Sequence, residues 1–243
     1  MIPKEKLEEI REALMKAERP LFFFDDDNDG LCSYLLLQAF VGKGVGIPIK
    51  TSPELDASLF NRVIEHNPDF IFILDKPLVH QDFIDQVKVP IYWIDHHPIV
   101  RRERVLYYNP RLDGDEEHTS TTYWCYQAVK GKLWIAAVGC VSDWTLPNFL
   151  EEVRKKYSDL VGDKNTIPSL LYDSRFGELC RIFSFLIKGR TSEVKKSIQF
   201  LTQVQEPYDI LDAKTKEGKF LFERAEHVNK EYKTILAKAL KVK

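Results

Sequence analysis

A chain of 243 residues, 44% hydrophobic and 30% charged, has the composition of a globular protein with a sizeable core, spread over one large domain or one domain and a smaller one. Its formal net charge of −2 excludes a globally basic nucleic-acid-binding protein, so any surface for such a partner must be local. No apolar run approaches the length of a membrane span, and the amino terminus MIPKEKLEEI lacks the apolar core of a signal peptide. Cys32, Cys125, Cys140 and Cys180 form no CxxC pair and lie in apolar segments, which suits reduced thiols in a cytoplasmic protein.

The first predicted element is an amphipathic helix from Pro3 to about Glu18, with Leu7, Ile10 and Leu14 on one face and Pro20 as its stop. Leu21 to Phe24 then reads as a buried strand. Asp25, Asp26, Asp27 and Asp29 follow at once, and Gly30 closes the run. Carboxylates at this density repel one another unless a cation sits among them. Magnesium or manganese, which prefer oxygen ligands, is one answer. The other is an acidic turn that caps the following helix, since Asp is a good N-cap. Leu31 to Val41 is an apolar helix, and Gly42, Gly44 and Gly46 make a loop into a short strand near Ile47 to Lys50. A helix from Leu55 to His66 ends at Asn67-Pro68. The strand Asp69 to Leu74 ends at Asp75, a helix covers Val79 to Val87, and the strand Ile91 to Ile94 ends at Asp95. A further strand, Val105 to Tyr108, is closed by Asn109-Pro110. Helices over Ser120 to Val129 and Leu133 to Val141 follow, with Asp143 just beyond the second.

This alternation predicts an α/β fold with a mostly parallel sheet flanked by helices. Ligands of such sheets bind at the carboxyl edge of the strands, where Asp25, Asp75 and Asp95 would converge. The domain so defined covers residues 1–147. A helical extension over 148–213 holds helices at Phe149 to Leu160, Phe176 to Lys188 and Glu193 to Val204, with a loop from Gly162 to Pro168. Residues 214–243 form a basic C-terminal helix with eight Lys and one Arg against four Glu. Leu221, Ala225, Val228, Tyr232, Ile235, Ala239 and Val242 line one seam of it. The helix packs on its own domain, or serves as a linker, a partner helix or a weak phosphate-binding face.

Asp95-His96-His97 follows the third core strand. Neighbouring residues point in different directions, so one imidazole can bind a metal while the other faces a substrate. Asp95 can hydrogen-bond a ring nitrogen and fix its tautomer. Arg101, Arg102 and Arg104 lie just after this turn, as phosphate contacts or as a solvated loop. Ser120 and Thr121, with Thr119, offer hydroxyls to phosphate or cap a helix. Tyr92, Trp93, Tyr107, Tyr108, Trp124 and Trp144 are stacking platforms for bases or core.

On four of these segments the chain resembles the DHH phosphoesterase superfamily, and within it the RecJ-like nucleases. The D-x-D-x-D-G motif of those members is matched by Asp25, Asp27, Asp29 and Gly30, the second motif by Asp75, the DHH triplet by Asp95-His96-His97 and the fourth motif by Asp143. The resemblance implies two divalent ions, manganese in preference to magnesium. Asp27 and Asp29 would serve one ion each, Asp75 would bridge them, and His96, Asp143 and Asp25 would complete the shell. Asp95 and His97 would be catalytic, with His97 at the scissile phosphate or in acid–base chemistry, and a hydroxide between the ions would attack phosphorus. The expected activity is hydrolysis of single-stranded DNA or RNA. Alternatives are cleavage of short oligonucleotides or cyclic dinucleotides, and a non-catalytic scaffold in DNA replication or repair. Many family members carry a glycine-rich second domain. This chain has no adjacent glycine pair, so that domain is expected from a partner, from a longer protein, or not at all.

Overall fold

A computed structural model describes residues 1–50, 54–114 and 118–239. The chain divides into two compact units, Met1–Val153 and Arg154–Lys243.

The first unit opens with α1 (Lys4–Lys16), then β1 (Pro20–Asp25), α2 (Asn28–Val41), β2 (Val45–Ile49) and β3 (Glu54–Leu55). It continues with α3 (Phe60–His66), β4 (Phe70–Leu74), β5 (Leu78–Val79), α4 (Gln81–Gln86), β6 (Ile91–Ile94), β7 (Leu106–Tyr108), α5 (Thr121–Val129) and α6 (Leu133–Ser142), and α7 (Leu150–Lys156) begins in it and ends in the second. Five strands make one parallel sheet in the order β2-β1-β4-β6-β7. The fold is α/β, as the strand–helix alternation predicts.

Burial on both faces explains why β1 and β4 read as unbroken apolar runs. On one face Phe22, Phe24, Phe72, Tyr92 and Tyr108 stack along the sheet, with Tyr34 of α2 against Phe22 and Phe24. On the other, Leu21, Phe23, Ile71, Ile73, Ile91 and Trp93 pack with Val63 of α3 and Phe83 of α4. Pro48, which cannot donate to a ladder, sits on the edge strand β2.

The register is what positions a site. Phe24 pairs with Leu74, Leu74 with Ile94, and Ile94 with Tyr108. Asp25, Asp75, Asp95 and Asn109 are the next residues of those four strands, so they form one row along the carboxyl edge. The ladder extends into the row, with Asp75 N–H donating to Ile94 O at 2.9 Å and Asp95 N–H to Tyr108 O at 3.0 Å.

Some boundaries differ from expectation. The helix expected from Leu31 begins at Asn28, because the Asp27 carboxylate caps it by accepting Gly30 N–H at 2.9 Å. The helix expected from Leu55 begins at Phe60. Leu55 pairs with Val79 in a two-stranded sheet, and Asp56 caps a 3₁₀ turn at Ala57–Leu59. Val79, expected in a helix, belongs to that same small sheet.

In the second unit the helices are α8 (Ser158–Val161), α9 (Ile167–Tyr172), α10 (Arg175–Leu186), α11 (Thr191–Gln203), α12 (Pro207–Leu211) and α13 (Lys216–Ala239). The expected single helix Phe149 to Leu160 is two, α7 and α8. A Thr166–Ser169 capping box starts α9 inside the expected Gly162 to Pro168 loop. α13 packs on α10, α11 and α12. Leu221 and Ala225 of its seam are buried, Tyr232 and Ile235 are exposed, and Val242 lies outside the described residues. No described helix is long and apolar enough to cross a membrane.

Gly30 marks the closest approach of α2 to β1. A Cβ there would lie 2.5 Å from Asp25 O and 2.7 Å from Asp25 N, both backbone atoms that cannot step aside. Gly30→Ala is expected to destabilise the protein by about 1–3 kcal/mol, as overpacking does. Urea unfolding followed by circular dichroism measures it, and an unchanged midpoint would contradict this packing.

Candidate metal centre

Every acidic and histidine residue singled out in the four motifs comes to this edge. Asp25 and Asp75 end β1 and β4, Asp27 caps α2 and Asp29 lies in its first turn. His96 and His97 turn out of β6, and Asp143 ends α6. Asp75 holds a left-handed backbone with φ 59°, a conformation rare outside glycine that is found at functional turns.

His96 is buried, and its Nε2 points into the carboxylates: 3.3 Å from Asp75 Oδ1, 3.7 Å from Asp143 Oδ2 and 3.8 Å from Asp29 Oδ2. Three sets of ligand atoms are close enough to share an ion: Asp25, Asp27 and Asp75; Asp75, His96 and His97; and His96, His118 and Asp143. His118 was not anticipated. Its ring packs edge-on against His96 at 4.8 Å, and Nε2 lies 3.7 Å from Asp143 Oδ2. Only its neighbourhood to Ser120 hinted at it, because no spacing rule links it to the other motifs.

The remaining residues hold these in place. The buried Asp29 carboxylate accepts the Thr121 and Thr122 backbone N–H groups at 2.8 and 2.7 Å, at the positive N-terminal end of α5. A carboxylate has about four lone-pair sites, so it retains acceptor capacity. Ser120 and Thr121 are fully buried. Ser120 caps α5 through Tyr123 N–H, and the Thr121 hydroxyl donates to Asp75 Oδ1 at 3.1 Å. Both hydroxyls are engaged within the fold.

Asp95 is also fully buried. Its Oδ1 lies 2.8 Å from His97 Nδ1, and its Oδ2 accepts His97 N–H at 3.1 Å, the Tyr107 hydroxyl at 3.2 Å and Asn109 Nδ2 at 3.4 Å. Its lone pairs are thus committed within the fold. His97 is half-buried, and its Nδ1 is the ring nitrogen that faces Asp95. Arg111, also unanticipated, donates from Nε to His96 O at 2.9 Å. Arg102 donates to Val79 O at 2.6 Å and Arg104 to Val87 O at 3.2 Å, so both brace the loop, while Arg101 is exposed. Of the aromatics, Trp93, Tyr108 and Trp124 are core. Trp144 beside Asp143 is 58% exposed, with φ 57°.

The electrostatics ask for a cation. Burial, then the charges of Asp29 and Asp27, push Asp143 up to about 8. Burial and the charges of Asp29, Asp27 and Asp95 push Asp75 well above the carboxylate range. Asp27 reaches solvent at the mouth, yet crowding by protein atoms and then the charge of Asp29 raise it to about 6. Burial lowers His96, which favours the neutral imidazole that a metal needs. Burial also pulls His97 down, but the Asp95 hydrogen bond and charge outweigh it and the net shift is upward. Asp143 Oδ2 and His96 Nδ1 are buried without a hydrogen-bond partner among the described residues. A hard or borderline divalent ion fits this oxygen-rich donor set with one or two imidazoles.

No protein-family model and no curated protein sequence matches the chain. Solved structures do. An exonuclease RecJ bound to manganese aligns at 17% identity and TM-score 0.66, over 99% of this chain and 69% of that one. RecJ from Thermus thermophilus in complex with Mn2+ aligns at 17% identity and TM-score 0.65, over 99% of this chain and 40% of that one. The DHH domain of a protein described as a member of a ribosomal protein family aligns at 13% identity and TM-score 0.62, over 98% of this chain and 63% of that one. The chain has the DHH fold in its RecJ-like form along nearly its whole length, and spans between 40% and 69% of those three chains.

Between the ordinary aspartate range and the raised values of Asp27 and Asp143, about 6 and 8, the metal-free folded form binds more protons than the unfolded chain. These two groups therefore lower the stability of the metal-free protein as pH rises across that window. A divalent ion must displace the same protons, so its stabilising effect grows with pH. The rise in urea midpoint on adding Mn2+ is expected to be larger at pH 8 than at pH 5. An equal or smaller rise at pH 8 would count against these assignments.

Proposed function

We propose that the chain is a divalent-metal-dependent phosphodiesterase that hydrolyses single-stranded nucleic acid. The observation that carries this reading is the meeting of Asp25, Asp27, Asp29, Asp75, His96 and Asp143, from separate segments of the chain, at one acidic centre. Asp25, Asp27 and Asp75 form one candidate ligand group, and Asp75, His96 and Asp143, with Asp29 and His118 beside them, form the other. The imidazole among the donors favours manganese over magnesium. A bound ion supplies Lewis acidity at the phosphoryl oxygens and lowers the pKa of water.

The chain's own residues supply the rest. Asp95 fixes the tautomer of His97 through Nδ1 and favours its protonated form, so that Nε2 can deliver a proton to the leaving oxygen. Exposed Arg101 offers a contact for a neighbouring phosphate, and exposed Trp144 a face on which a base can stack.

The test is cleavage of single-stranded DNA and RNA oligonucleotides labelled at either end, with Mn2+, Mg2+ or a chelator. Metal-dependent cleavage is expected, with the product ladder reporting polarity. Asp75→Ala is expected to lose both Mn2+ binding and cleavage. His97→Ala is expected to retain Mn2+ and lose about 10²–10⁴-fold in rate. Undiminished cleavage by Asp75→Ala would overturn the site.

A further inference from the structure

Lys76 has no part in the reading above, and it is an unusual side chain for its place. It follows Asp75 at the end of β4, is 0% exposed, and sets its Nζ 2.9 Å from Asp25 Oδ1. Lysine is almost never fully buried unless paired. Its backbone is held on both sides. Asp75 before it takes the left-handed turn with φ 59°, and the Trp93 indole N–H donates to the Lys76 carbonyl at 2.9 Å. Asp25 Oδ1 also accepts the Asp26 backbone N–H at 3.0 Å. The oxygen that Lys76 engages thus belongs to one of the three carboxylates, Asp25, Asp27 and Asp75, that otherwise form an ion-sized group.

We infer that the Lys76 ammonium is a resident cation that takes the place of one metal ion, so that the centre holds a single tightly bound divalent ion. That ion lies on the side of Asp75, His96 and Asp143, with His118 in reach. The inference rests on the metal-centre reading above and refines it. An ion on Asp25 would share its carboxylate with a fixed positive charge, and two cations so close repel. The ammonium neutralises charge but has no vacant orbital, so it lends no Lewis acidity. At the second group it is His96 Nε2 that lies between Asp75 and Asp143, and an imidazole nitrogen is itself a metal ligand rather than a competitor.

The test is the number of Mn2+ ions bound by the whole chain, from calorimetric titration, together with the electron paramagnetic resonance spectrum of the loaded protein. The wild type is expected to bind one ion tightly and give the spectrum of isolated Mn2+. Lys76→Met, which keeps the length of the side chain and removes its charge, is expected to bind two ions and give an exchange-coupled spectrum. Two coupled ions in the wild type would overturn the role of Lys76 and leave the metal centre standing; this arm decides even if the variant does not fold. One ion in both proteins would also overturn it, because the charge would not be what excludes the second. No Mn2+ bound by either would overturn the metal-centre reading itself.

Discussion

Mutual repulsion among buried carboxylates is the constraint around which the first unit is built. Asp29, Asp75 and Asp95 are essentially removed from water, and Asp25, Asp27 and Asp143 crowd against them. No fold gathers such groups without counter-charge, and each has a different answer. Asp29 is met by the backbone N–H groups at the start of α5, Asp95 by Tyr107, Asn109 and His97, and Asp25 by Lys76. Asp75 and Asp143 are pushed above the usual carboxylate range by burial and by the charges of their neighbours. The place where counter-charge runs out is the place where a metal fits.

The parallel sheet supplies the geometry for this arrangement. Because β1, β4, β6 and β7 are in register, one residue past the end of each strand falls on one row, and chemistry scattered along the chain becomes adjacent. The apolar faces of the same strands, from Phe22 to Trp93, hold that edge rigid. Two helices complete the centre from above: α2 through its cap Asp27 and first-turn Asp29, and α6 through Asp143 at its end. The same acidic turn caps a helix and lies in a group that could hold an ion, so the two meanings open to it in the sequence are compatible.

Much of this was legible in the residues. Apolar runs that stop at Asp25, Asp75 and Asp95 announce strand ends, and alternation with helices announces a parallel sheet whose edge gathers them. The DHH triplet and Asp143 add ligand chemistry in a recognisable order. Less legible was whatever depends on who faces whom. Leu55 leaves its expected helix because a strand partner, Val79, is available only in three dimensions. Ser120 and Thr121 have hydroxyls that suit phosphate or a cap equally well, and burial decides for the cap and for Asp75. Arg102, which reads as a phosphate contact or as part of a solvated turn, donates from Nε to the Val79 carbonyl.

The sequence by itself determined the class of fold and the types of ligand, because both are written in local pattern: hydrophobic runs, their periodicity, and acidic residues at their ends. Only the tertiary structure decided the division of labour within the site. It brought His118 to Asp143, set the Asp29 carboxylate on the start of α5, and turned Lys76 inward onto Asp25. Local pattern records what a residue is, whereas its charge environment depends on neighbours tens of positions away, and that environment decides whether a carboxylate binds a metal, a proton, a backbone amide or a lysine.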